Sequence, residues 1–178
     1  MSERQKHGFN FQEQYINSNN LTPDENYTGE WDAYTKNNFP VQIKTRKKNG
    51  ELDLGSLKRN LNKNQDFLLI IGNYSERNGV KNFDNPECYF VEADNWKAQF
   101  NCDCLNEMED FLKEITNDYS DDKKWKNGVK EFKEKTVANA VPRFKRDHKK
   151  QKRIQAAIPK KNLKKFLNSF EIVDISDY

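Results

Sequence analysis

The sequence predicts an α/β chain of the α+β kind, a mixed β-sheet with helices packed on its faces. Three observations carry that expectation. Residues 66–74, DFLLIIGNY, are the most apolar run, short and bounded by polar residues, as suits a strand buried on both faces. Residues 41–45, VQIKT, alternate apolar and polar side chains, the period of a half-buried strand. Leu105, Met108, Phe111, Leu112 and Ile115 recur at helical spacing.

The elements follow in order. FNFQEQYI, residues 9–16, reads as a short amphipathic helix starting near Asn10. NSNNLTPDEN, residues 17–26, is rich in turn formers and reads as a loop. Strands are expected at 27–34 and 40–47, with Thr35–Phe39 as their hairpin connection and a turn at Lys48-Asn49-Gly50. LDLGSLKRNLNKN, residues 52–64, reads as a helix capped near Asp53 or Ser56, with Leu54, Leu57 and Leu61 on one face. After the buried strand, 75–87 reads as loop and CYFVEA, 88–93, as a strand. Helices are expected at 105–116 and about 121–136, the second marked by Trp125, Val129 and Phe132. RIQAAI precedes Pro159, KKNLKKFLNSF reads as a helix, and EIVDI as a closing strand. Trp31, Trp96 and Trp125 are expected to pack in the core or at an interface.

Composition narrows the function. A length of 178 residues suits one domain, 1–178. With 34% hydrophobic and 33% charged residues, the core should be modest and the surface highly charged. No apolar run approaches the ~20 residues that span a bilayer. MSERQKHGFNF lacks the apolar centre of a signal peptide, so a cytoplasmic setting is expected. Three cysteines, Cys88, Cys102 and Cys104, do not form a disulfide framework. Only His7 and His148 accompany them, which leaves a four-ligand zinc site at Cys102-x-Cys104 few donors.

The net charge of +3 conceals an asymmetry. Residues 143–165 hold eleven Lys and Arg against the single acid Asp147, whereas 166–178 carry −3 and 1–142 carry −4. A local +10 suits a polyanion. Arg143, Lys145, Arg146, Lys149, Lys150, Lys152 and Arg153 are the candidate contacts to nucleic-acid phosphates, with His148 among them; a solvated basic helix is the plainer alternative.

The residues that carry chemistry lie near the first strong strand. In GEWDAYTKNNFPVQIKT, Asp32 precedes Gln42-Ile43-Lys44 by nine residues. Strand alternation puts Val41 and Ile43 on one face and Gln42 and Lys44 on the other, and a hairpin brings Asp32 beside them. A carboxylate with a second oxygen donor suits Mg²⁺. A neighbouring lysine orients or deprotonates an attacking water and balances phosphate charge. The backbone carbonyl of Ile43 is a further candidate ligand. Glu51 with Asp53, or Glu92 with Asp94, are rival acidic pairs, but neither has a lysine two residues after its second acid.

Asp32, Gln42 and Lys44, set in hairpin, helix, buried strand DFLLIIG and strand CYFVEA, resemble the PD-(D/E)xK nuclease superfamily, home of many type II restriction endonucleases. The resemblance covers about residues 9–94, the expected catalytic core, with 143–165 as a DNA-contacting segment. It implies a restriction-endonuclease-like sheet and a Mg²⁺-dependent, sequence-specific double-strand DNA endonuclease. Asp32, Gln42, Ile43 and Glu13 would hold the metal, with Glu30 a weaker match than Glu13, and Lys44 would be the catalytic lysine. A neutral Gln42 stands where the family has Asp or Glu, which weakens metal binding or shifts weight to Glu13. A two-fold homodimer and a companion DNA methyltransferase are implied as partners. The alternatives are a homing or junction-resolving nuclease of the same fold, an RNA-processing nuclease, and a non-catalytic DNA-binding protein that retains the fold.

Overall fold

The computed structural model describes residues 3–25, 30–100, 103–115, 122–136, 138–146 and 152–178. Its architecture is a mixed sheet flanked by helices, as the sequence predicts. The elements in chain order are α1 (Glu3–Ser18), β1 (Thr22–Pro23), β2 (Ala33–Tyr34), β3 (Pro40–Lys47), β4 (Leu52–Ser56), α2 (Leu57–Leu61), β5 (Phe67–Arg77), β6 (Val80–Phe83) and β7 (Glu87–Val91). There follow α3 (Ala93–Ala98), α4 (Leu105–Ile115), α5 (Asp122–Lys135), β8 (Val141–Arg146), β9 (Lys152–Ile158), α6 (Lys160–Leu167), β10 (Glu171–Ile172) and a final 3-10 turn, Ile175–Asp177.

One sheet runs β1-β2-β3-β5-β7-β10, with β6 paired to the far end of β5. β3 and β5 are parallel, with Val41 opposite Leu68 and Lys44 opposite Ile71; the other neighbours are antiparallel. A second, three-stranded sheet runs β4-β9-β8.

The apolar run behaves as its composition requires. Phe67 to Ile71 are all buried, and successive side chains serve opposite faces. Leu68 and Ile70 join Phe11, Tyr15, Ile16, Val41 and Ile43 under α1. Phe67, Leu69 and Ile71 join Trp31, Trp96, Phe166 and the inner residues of the second sheet, Leu52, Ile154, Ala156 and Ile158. The second sheet therefore covers the face of the first opposite α1. Trp31 and Trp96 are core residues, and half-buried Trp125 stacks on Phe111 at 6.0 Å.

Several expectations need correction. The first helix begins at Glu3 rather than near Asn10, because the strong helix formers Glu, Arg, Gln and Lys ahead of Phe9 outweigh Gly8. Residues 52–64 are not one helix. Leu52 and Leu54 are buried while Asp53 between them is exposed, a strand period, and 52–56 pairs with β9. Only Leu57–Leu61 is helical, capped by the Ser56 side chain, which accepts from the Arg59 N–H. Residues 75–87 are largely a hairpin: Asn78 and Gly79 both adopt positive φ, 52° and 75°, as a two-residue hairpin turn demands. The plainer alternative of a basic helix over 143–165 does not hold; the segment carries β8 from Arg143 onward, β9 and α6. The 17–26 stretch carries the two-residue strand β1, and of the expected 27–34 strand only Ala33–Tyr34 is paired, residues 26–29 lying outside the described residues.

Gly72 shows how tightly α1 is seated. A methyl group there would fall on the ring of Phe11. Gly72→Ala should therefore cost about 1–3 kcal/mol, the range for overpacking a filled core. Urea unfolding of the two proteins measures it; a loss below about 0.5 kcal/mol would mean α1 is seated less closely on the sheet.

Candidate functional site

The hairpin from β2 to β3 is closed by Thr35, whose N–H donates to the Phe39 carbonyl at 2.9 Å, with Asn38 at φ 59° completing the turn. The Asp32 N–H donates to the Val41 carbonyl at 3.0 Å. The next rung is different. The Asp32 carboxylate, not a backbone carbonyl, accepts the Ile43 N–H, with Oδ2 at 2.7 Å. This substitution explains why the pairing stops so early. The N–H and C=O of one strand residue leave on the same edge, so the Ile43 carbonyl emerges on the edge where Asp32 lies.

Two more groups converge on the same oxygen. Gln42 Nε2 donates to Asp32 Oδ2, and Lys44 Nζ lies 3.7 Å from it. The Asp32 and Lys44 side chains are 22% and 23% exposed, whereas Gln42 is buried. The result is a polar floor reachable from solvent and rigidly seated in β3. Val41 and Ile43 meanwhile point into the α1 side, as the alternation requires.

The oxygens at this edge are the Asp32 carboxylate and the Ile43 carbonyl; Gln42 turns its amide nitrogen to Asp32, and a flip of the amide would bring its oxygen to the same place as a third hard donor. That suits Mg²⁺, which takes oxygen ligands, keeps several waters and is completed by substrate phosphates. Among the described residues no group of three or more His, Cys, Asp or Glu is placed to hold a metal. The charge complement is a single carboxylate with an amide, so these residues fit a weakly held ion.

Glu13 is not brought to this site. It is exposed on α1, whose Phe11, Tyr15 and Ile16 pack on the opposite face of the sheet from Gln42 and Lys44. Glu30 lies two residues before Asp32 and contributes its backbone carbonyl to a lysine described below. The rival acids are engaged elsewhere: Glu51 pairs with Arg143, and Asp53 Oδ1 accepts the Gly55 N–H at 2.8 Å. Glu92 accepts a hydrogen bond from Asn95.

The basic residues divide. Arg143, Lys145 and Arg153 lie on β8 and β9, with Lys145 opposite Arg153 and Arg143 opposite Gln155. Partners in register share a face. Phe144 and Ile154, on the other face, turn into the core, so Arg143, Lys145, Arg153 and Gln155 form the outer face of the ribbon. Lys145 and Arg153 are exposed. Arg146 and Lys152 pair at the ribbon's end, but their side chains, like Lys149, Lys150, His148 and Cys102, lie outside the described residues, as does the His7 side chain.

Sequence reasoning missed Lys63. It sits in Asn-Lys-Asn at the polar end of the helix expected at 52–64, away from the Leu54, Leu57 and Leu61 face, yet it is 1% exposed. Its Nζ donates to the Glu30 carbonyl at 3.1 Å and lies 3.3 Å from the centre of the Trp31 ring and 5.1 Å from that of Phe67. It thus pins the residues immediately before Asp32 to the end of α2. Burial is the main cause that pulls its pKa down to about 7; Glu30 and Asp32 oppose the fall, and Lys44 and Arg59 add to it. The Trp31 face attracts the ammonium, but desolvation outweighs that attraction.

No family model, curated protein or solved structure matches the chain.

Lys63 carries a signed pH prediction. Its folded pKa lies below the value of about 10.4 in an unfolded chain. Between pH 7 and 10 the unfolded chain holds a proton there that the folded chain has released, so this group's contribution to stability rises with pH across that window. Below pH 7 both states are protonated and the cost of the buried charge is fully present. Lys63→Met should be more stable than the parent at pH 6.5, with the gap narrowing towards pH 9. Thermal melting of both proteins over that range tests it; parallel curves would contradict it.

Proposed function

We propose that this protein is a Mg²⁺-dependent double-strand DNA endonuclease of the PD-(D/E)xK type, acting as a type II restriction enzyme. The observation that carries the reading is the convergence of Gln42 and Lys44 on one oxygen of Asp32, with the Ile43 carbonyl on the same edge. Asp32 and the Ile43 carbonyl would hold the ion, joined by the Gln42 oxygen once its amide flips from its hydrogen bond with Asp32. Bound there, Mg²⁺ would supply Lewis-acid polarisation of the scissile phosphoryl group. Lys44, fixed by its ion pair with Asp32, would orient the attacking water and offset charge on the phosphate oxygens. The Ile43 N–H holds the carboxylate at a fixed angle, so little reorganisation of Asp32 would accompany the reaction.

DNA as the substrate is supported by the outer face of β8 and β9. A two-stranded ribbon fits the major groove of duplex DNA, and beyond Gln155, where the pairing with β4 ends, β8 and β9 continue as two strands with Lys145 and Arg153 exposed. Cleavage of both strands of a palindrome would call for a two-fold homodimer, and a companion methyltransferase would protect the host's own sites. A second reading is a DNA-binding protein without catalysis. It is favoured by Gln42, which leaves one negative charge where two would grip the ion more firmly.

Asp32→Ala and Lys44→Ala should each lower cleavage of duplex DNA by roughly 100-fold or more. Binding in EDTA should stay within a few-fold of the parent for Lys44→Ala. Wild-type cutting rates in either variant would remove the site assignment. Gln42→Glu should cleave at least as well as the parent and at lower Mg²⁺; no cleavage by the parent or by this folded variant, together with tight salt-sensitive DNA binding, would favour the non-catalytic reading.

A further inference from the structure

We propose that Arg46 forms a second phosphate-binding subsite, one step along β3 from Lys44. The inference rests on the nuclease reading for the source of the phosphate, and on the following geometry for the site itself.

Gln42, Lys44 and Arg46 occupy alternate positions of β3 and therefore project from the same face. Arg46 is half-buried, and its Nε and Nη1 are buried with no hydrogen-bond partner among the described residues. Guanidinium donors are seldom left in that state, because an unmatched buried charge is costly. Burial lowers the Arg46 pKa, and Glu87 and Tyr89 oppose that fall only through space. Glu87 already accepts from Asn73 at 3.2 Å and bonds the Tyr89 hydroxyl.

A cavity of about 680 Å³ opens beside Arg46, lined also by Lys47, Lys81, Glu51, Asp53 and Glu76. Its acids have other partners. Glu76 pairs with Lys47 at 3.2 Å, Glu51 with Arg143, and Asp53 with the Gly55 N–H. What the cavity lacks is an anion for Arg46. A guanidinium presents a planar fork of donors that matches two phosphate oxygens.

The spacing fits a nucleic-acid strand. Two residues of strand cover about 6.6 Å. Neighbouring phosphates rise about 3.4 Å along the duplex axis and are further apart along the winding backbone. A phosphodiester held at Lys44 thus places its neighbour within reach of Arg46. The subsite would fix the register of the strand on the protein without reading its bases.

Arg46→Met keeps the alkyl stem in its packing, and Arg46→Lys keeps the charge without the fork. Two measurements test the subsite. Inorganic phosphate, compared with chloride at equal ionic strength, should raise the melting temperature of the parent but not of Arg46→Met. Binding of a short duplex in EDTA should weaken about tenfold in Arg46→Met, and the slope of log K against log salt should fall by about 0.9, with Arg46→Lys retaining the slope but not the full affinity. Equal phosphate stabilisation of parent and Arg46→Met, or DNA cleavage by the parent with an unchanged salt slope in Arg46→Met, would remove the subsite and leave the nuclease reading standing. Phosphate stabilisation through Arg46 in a protein that neither binds nor cuts DNA would establish the subsite for free phosphate and remove the nuclease reading.

Discussion

The site depends on one interrupted rung of the sheet. Where a continuing β2 would give a backbone carbonyl to the Ile43 N–H, the Asp32 side chain takes its place. That exchange does three things at once. It ends the ladder, fixes the carboxylate against the strand, and leaves the Ile43 carbonyl on the same open edge. The parallel pairing of β3 with fully buried β5 then holds the whole arrangement still, since a slip of one residue would send Gln42 and Lys44 into the apolar layer under α1.

The other side of Asp32 is held by a costlier device. Lys63 lies in an aromatic slot between Trp31 and Phe67 and ties the Glu30 carbonyl to the end of α2. A methionine would fill such a slot with less penalty, so the ammonium is there for its direction rather than for stability. The hydrogen bond it donates sets the path of residues 30–32, and the charges of Asp32 and Lys44 both act on its ammonium. The polar floor is thereby gripped from two directions, by β3 through the Ile43 N–H and by α2 through Lys63.

Much of this was legible in the sequence, for physical reasons that differ by element. The alternation in VQIKT placed Gln42 and Lys44 on one face because strand geometry leaves no other choice, and the uninterrupted apolar run of β5 could only be a strand covered on both sides. The strand β4 was illegible because LDLGSLKRNL satisfies both periods: Leu54, Leu57 and Leu61 fit a helix, while Leu52 and Leu54 around Asp53 fit a strand, and pairing with β9 decides between them. That partner lies about a hundred residues away. The β5–β6 hairpin was announced by Asn78-Gly79 but masked by the polar residues around it. Glu13 failed for a different reason: its helix packs on the far face of the sheet, which no local pattern reveals. Lys63 carries no mark at all, since its burial arises from Trp31 and Phe67, which only the fold brings to it.

The central claim is that Asp32, Gln42 and Lys44 form a metal-dependent site for phosphodiester hydrolysis. Incubation of the purified protein with long unmethylated duplex DNA, in Mg²⁺ and in EDTA, tests it most directly. The account predicts discrete fragments in Mg²⁺ and intact DNA in EDTA. Cutting that persists in EDTA, or DNA left intact in Mg²⁺ across substrates of varied sequence, would contradict it.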